Sequence, residues 1–145
     1  MKILMAIDAS KFSEDVLSAV KAQFRAQDTE VCVLHVLQPV SPAPPPQMAA
    51  AYVPELESQK KPAHELVERI ASALQKAGFK VTGVVEIGDI REKIIDSAAE
   101  WQADLIVVGS HGQRGIQRFL LGSVAEFVAR HAKCSVQIVR APTRR

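Results

Sequence analysis

The chain has 145 residues, the size of one ordinary domain, and can bury roughly 70% of the surface that its unfolded form exposes. Eighteen basic residues against sixteen acidic ones leave a net charge of +2, too balanced to point to a nucleic-acid partner, and an aromatic fraction of 5% argues against a base-stacking surface. No apolar stretch approaches the ~20 residues of a membrane span, so no membrane partner is expected.

Met1-Lys2-Ile3-Leu4-Met5-Ala6-Ile7-Asp8 runs straight into an apolar strand, without the longer apolar core and cleavage site of a secretory signal. A cytoplasmic location is therefore expected. The strand is read as Lys2 to Asp8. A helix follows, in which Phe12, Val16, Val20 and Phe24 repeat every fourth residue, and Glu14 and Asp15 sit where a first turn prefers anions. The second strand is Glu30 to Leu37. From Gln38 to Lys61 the chain carries Pro39, Pro42, Pro44, Pro45, Pro46 and Pro54, which reads as a flexible connection of residues 38–61 inside a single domain of residues 1–145.

A second helix is expected to open near Pro62, to carry Leu66, Ile70, Leu74 and Ala77, and to close at Gly78. The third strand is Lys80 to Ile87. Asp89 with Glu92 caps a third helix through Ile90, Ile94, Ile95 and Ala98. The fourth strand runs from Ala103 to Gly109. A last helix carries Val124, Phe127, Val128 and His131, with Arg130 and Lys133 as cations near its C-terminus, and the fifth strand is Cys134 to Arg140. Runs such as Leu105-Ile106-Val107-Val108 are continuously apolar rather than alternating, so both faces of the sheet are covered. Strands alternating with helices then give an open, doubly wound parallel sheet.

The segment richest in chemistry is Val107-Val108-Gly109-Ser110-His111-Gly112-Gln113-Arg114-Gly115, continuing to Gly122-Ser123-Val124-Ala125-Glu126. A buried strand ends, a glycine-rich loop follows and a helix begins. Glycines let backbone N–H groups approach an anion, and a helix N-terminus adds unpaired N–H groups with a favourable dipole. An ordinary strand-to-helix loop with turn glycines would look similar. The spacing is neither GxxxxGK[ST] nor GxGxxG, and no G-x-S-x-G elbow is present, so P-loop, dinucleotide and hydrolase readings fail. Too few aromatics are available to sandwich a flavin, and a receiver-type phosphoacceptor aspartate after the third strand is missing. Cys32 and Cys134 lack metal-ligand spacing and read as buried free thiols, with no metal site assigned.

Gly109-x-x-Gly112, nine residues, then Gly122-Ser123 resembles the nucleotide-binding signature of the universal stress protein family. Ile3 to Ser10, Leu34-His35-Val36, Gly88-Asp89, Leu120 to Glu126 and His131-Ala132-x-Cys134-x-Val136 resemble further parts of its pattern, in the same order. Ile90 stands where that family frequently has proline, and the Pro-rich connection is idiosyncratic. The resemblance implies a five-stranded parallel sheet of order 3-2-1-4-5 with helices on both faces, like the adenine nucleotide alpha hydrolases. It implies ATP or a related adenine nucleotide, with or without Mg²⁺, as the ligand of a regulatory module in a stress response.

By the same resemblance, Ala6 would line the adenine pocket and Val36 would meet the base through its backbone. Asp8 would contact the ribose hydroxyls or a metal near the phosphates; read without the resemblance, it is a carboxylate accepting N–H bonds at the start of the first helix. Backbone groups of Gly109, His111, Gly112, Gln113 and Arg114, with Gly122, Ser123 and Val124, would hold the phosphates. The Arg114 side chain would add charge there or stand solvated. No side chain is assigned a catalytic role: phosphoryl transfer needs a positioned base and cationic stabilisation, and only Lys11 and Arg114 lie near, so at most a slow ATPase is expected. A dimeric module without nucleotide binding is the remaining alternative. The last strand, if an edge, invites a second chain, and the family implies a homodimer through residues 135–140.

Overall fold

A computed structural model describes residues 1–39, 47, 49–111 and 121–140, with backbone alone over 49–56. The elements in chain order are β1 (Lys2–Ile7), α1 (Phe12–Gln23), a 3₁₀ turn (Ala26–Asp28), β2 (Glu30–Leu37), α2 (Ala49–Lys76), β3 (Lys80–Ile87), α3 (Ile90–Trp101), β4 (Leu105–Gly109), α4 (Ser123–His131) and β5 (Ser135–Val139). All four strand pairings are parallel, in the order β3-β2-β1-β4-β5. The expected open sheet of order 3-2-1-4-5 is the one found.

Alternation along the strands divides the core into two layers. Ile3, Met5, Val31, Val33 and Val107 face α1 and α2, where Val16, Val20, Val67, Ile70 and Leu74 meet them. Leu4, Cys32, Leu34, Ile106 and Val108 face α3 and α4, against Ile94, Ala98, Ala125 and Val128. Helices on both sides explain why the central strands are apolar at every position: Ile3, Leu4 and Met5 are each fully buried in succession. The edge strands differ, with half of β3 and one end of β5 exposed.

Burial also corrects the apolar stripes. In α1 the buried positions are Ser13, Val16, Leu17 and Val20, while Phe12 is only half-buried. In α4 they are Ala125 and Val128, with Val124 and Phe127 half-buried and His131 exposed. Helix α2 opens at Ala49, not near Pro62. Its buried stripe, Ala63, Val67, Ile70 and Leu74, anchors the C-terminal half on the sheet. The helix extends N-terminally from that anchor, beginning in the strong helix formers Ala49-Ala50-Ala51, so packing overrides the local cost of Pro54 and Pro62. At the other end the chain turns at Gly78 with φ of +97°, the left-handed conformation that favours glycine. The Gly78 N–H donates to Gln75 O and the Phe79 N–H to Leu74 O, closing the last turn.

The chain winds outward from β1 through β2 to β3 on one side, and α3 then carries it back to lay β4 on the other side of β1. The winding direction therefore reverses between the carboxyl ends of β1 and β4. In open sheets of this kind that crevice is where ligands sit.

Candidate functional site

Asp8 lies one residue beyond β1, and its environment is built by the first residues of the following helix. Its Oδ1 accepts the Ser10 N–H at 2.9 Å and also the Ser10 hydroxyl. Ser10 Oγ in turn accepts the Phe12 N–H at 3.3 Å. The buried Ser13 hydroxyl accepts the Asp8 N–H at 3.1 Å and donates to Asp8 O at 2.6 Å, tying the strand end to α1. Asp8 thus caps its own turn through Oδ1, as the reading without a resemblance had it, while no described donor engages Oδ2.

Across the crevice, Gly109 ends β4 opposite Val139. The next residue, Ser110, is buried; its N–H donates to Val139 O at 2.8 Å and its carbonyl accepts the Gly122 N–H at 2.7 Å. The chain after β4 is thereby pinned between β5 and the start of α4. Ser110 Oγ and His111 Nδ1 share a hydrogen bond of 3.1 Å, and the His111 ring lies 6.1 Å from that of Phe12.

The Gly122 amide, expected to hold a phosphate, is spent on Ser110 O. Its structural role is closeness: a Cβ built there would stand 2.9 Å from Ser110 O and 3.3 Å from His111 Cα. Gly122 also lacks a side chain to cap α4, so the first-turn N–H groups of Ser123, Val124 and Ala125 have no described side-chain acceptor. The helix α3 is different. There Asp89 Oδ1 accepts from the Arg91 and Glu92 amides at 3.0 and 3.1 Å, and Gln38 Oε1 accepts from Ile90 N at 3.2 Å. Near the crevice, open donors at a helix start are found at α4 among the described residues.

These groups surround one cleft open to solvent, in which the space free of protein atoms, open solvent included, is about 500 Å³. Ala6, Asp8, Val36, Gly109, His111 and Val124 all line it. Gly122 and Ser123 adjoin Val124 at the start of α4 but do not line the cleft, and Gly112, Gln113 and Arg114 fall outside the described residues. Lining residues outside the sequence-based set are Ile7 at the end of β1, Phe12, Ser13 and Val16 from α1, and Leu34, Ile90, Ile94 and Val108 around the opposite face. Their helical or strand spacing is the same as that of core residues, so no local signal set them apart.

His35 is buried, with Nδ1 2.9 Å from Ile7 O, which makes it a histidine satisfied by backbone. Burial pushes the Cys32 thiol up to about 11, leaving it protonated near neutrality. Cys134, expected to be buried, is only half-buried; partial burial again raises its pKa. Among the described residues no helix is long and apolar enough to cross a membrane, and no three His, Cys, Asp or Glu side chains are grouped to hold a metal ion.

Known proteins share this architecture. The universal stress protein Sll1388 of Synechocystis is 32% identical, covering 96% of this chain and 97% of its own. The solved structure of MJ0577, a universal stress protein of Methanocaldococcus jannaschii, superposes with a TM-score of 0.88 at 29% identity, covering 99% and 97% of the two chains. A universal stress protein from Archaeoglobus fulgidus, solved in complex with dAMP, superposes with a TM-score of 0.66 at 25% identity over 96% and 97%. Since the pattern of the universal stress protein family also matches residues 1–140, nearly the whole chain, this protein belongs to that family.

Proposed function

We propose that the chain is a cytoplasmic regulatory module that binds an adenine nucleotide, ATP in the first instance and with or without Mg²⁺, in the cleft between β1 and β4, and that it acts in a stress response. The observation that carries this reading is one cleft running from the Asp8 carboxylate, across apolar walls, to His111 and the first turn of α4. Each part suits a portion of a nucleotide. Leu34, Val36, Ile90 and Ile94 offer an apolar slot for a flat base. Asp8 Oδ2 is an acceptor for a sugar hydroxyl. The Val124 amide, in the cleft wall at the positive end of the α4 dipole and without an acceptor among the described residues, suits a phosphate oxygen, with the Ser123 amide beside it. Gly109, Gly112, Gln113 and Arg114 extend the phosphate side of this proposal, and Gly122 serves it by keeping α4 close to Ser110. The Archaeoglobus relative's complex with dAMP supports the same ligand class.

Calorimetric titration of the purified protein with ATP, with and without Mg²⁺, tests the reading. Saturable binding is expected, weakened about tenfold or more by Asp8→Ala, the loss of one hydrogen bond to a charged group. No binding at millimolar ATP would refute it.

We further propose a homodimer through residues 135–140. Strand β5 pairs with β4 on one side, and no described strand covers its other edge. An open row of backbone donors and acceptors on a half-buried apolar strand favours pairing with a second copy about a two-fold axis. Sedimentation at tens of micromolar is expected to give about twice the chain mass, and a purely monomeric species would overturn the assignment.

A further inference from the structure

The geometry around Asp8 carries an inference that rests on the proposed nucleotide reading and deepens it. We infer that Ser10 is a positioning residue that commits one oxygen of Asp8 to the protein, so that the site reads a single hydroxyl of the ligand's sugar. A carboxylate with both oxygens free can accept from both hydroxyls of a vicinal diol at once. Asp8 is not in that state. Oδ1 receives two donors from the same residue, the Ser10 amide at 2.9 Å and the Ser10 hydroxyl. The Ser10 hydroxyl is itself oriented, because its oxygen accepts the Phe12 N–H at 3.3 Å. The backbone beneath is also fixed, since Ser13 Oγ holds both the N–H and the carbonyl of Asp8.

This relay from the Phe12 amide through Ser10 fills the two acceptor sites of Oδ1, and Oδ2 is the oxygen of Asp8 with no donor among the described residues. Phe12 and Ser13 line the same cleft as Asp8, so the relay forms part of the cleft wall. The consequence is a specificity: loss of the sugar hydroxyl that Oδ2 reads weakens binding, and loss of its neighbour does not.

The test compares ATP with 2′-deoxy-ATP and 3′-deoxy-ATP by calorimetry on the full chain. In the unmodified protein one deoxy analogue is expected to bind about tenfold or more weakly than ATP, the value of one charge-assisted hydrogen bond, and the other to bind within about twofold. In Ser10→Ala the hydroxyl donor is lost and Oδ1, keeping only the backbone N–H of residue 10, regains room to accept from the ligand, so the two analogues are expected to converge to within about threefold of each other. Ser10→Thr keeps the hydroxyl and should restore the difference. Equal affinities of the two analogues in the unmodified protein would overturn the single-acceptor inference, and a difference that survives Ser10→Ala would overturn the positioning role. Both results leave nucleotide binding itself standing. Asp8→Asn with unchanged ATP affinity would instead remove Asp8 from the site, and the inference with it.

Discussion

Replacing Gly122 by valine is expected to weaken adenine-nucleotide binding by about 100-fold and to destabilise the fold by about 2–5 kcal/mol. The backbone angles at Gly122, φ −62° and ψ 155°, suit any residue, so the demand for glycine is one of space alone. A Cβ would stand 2.9 Å from Ser110 O and 3.3 Å from His111 Cα, and both are main-chain atoms that no rotamer change can move aside. Relief requires the start of α4 to retreat from the chain leaving β4. That retreat breaks the 2.7 Å bond from Gly122 N to Ser110 O and leaves a buried carbonyl without its donor. It also carries the first turn of α4, with Val124, away from the cleft, which is why the expected effect on affinity exceeds that of one lost contact. Alanine already places the offending atom and should lie near valine in both measurements. Calorimetric titration and thermal unfolding read the two effects separately, and a valine variant with unaltered affinity would show that α4 takes no part in the site.

Ile106→Ala is expected to cost about 2–5 kcal/mol, a large share of the ~5–15 kcal/mol that holds an ordinary domain folded. Ile106 is fully buried in β4, beside Leu4 of β1 and Val136 of β5, in the layer that α3 and α4 cover. It has neighbours on all sides, so truncation loses the transfer energy of the removed methyl groups and leaves a cavity that the sheet cannot close. Urea denaturation should show a lower midpoint with an unchanged slope. The exposed Ser18→Ala on α1 is the contrast, within about 0.5 kcal/mol of the parent. A loss below about 1 kcal/mol at Ile106 would mean that this layer is not packed as described.

Residues that were conspicuous locally proved easiest to place. Asp8 at the end of a strand, Gly109 at the end of another and the Gly-Ser opening α4 each carry a chemical reason to stand out. Asp8 and Gly109 line one cleft although they are far apart in the chain, and so does Val124, whereas the Gly-Ser pair before it does not. Phe12, Ile90 and Ile94 line it too, yet they were read as parts of apolar helical stripes. Periodicity tells which face of a helix is turned inward; it does not tell which end of that face meets the core and which meets an opening. The start of α2 was misplaced for a related reason. Six prolines from Pro39 to Pro54 weigh locally against a helix and Pro62 reads as its start, whereas the stripe from Ala63 to Leu74 anchors a helix that begins at Ala49.

By itself the sequence determined the number of the strands and their succession along the chain, the burial of the central ones on both faces, and the glycine-rich segment between β4 and α4. These follow from composition and short-range period, which act within a few residues of chain. Only the tertiary structure decided how each polar group is spent. The Gly122 amide and Asp8 Oδ1 were both candidates for a ligand, and both are consumed by protein partners, Ser110 O and Ser10. The groups without a partner among the described residues, Asp8 Oδ2 and the first-turn amides of α4, are left so by contacts that close the turn after β1 and hold two distant chain segments together. No periodicity encodes that, because a hydrogen-bond donor has the same residue name whether its proton is taken or free.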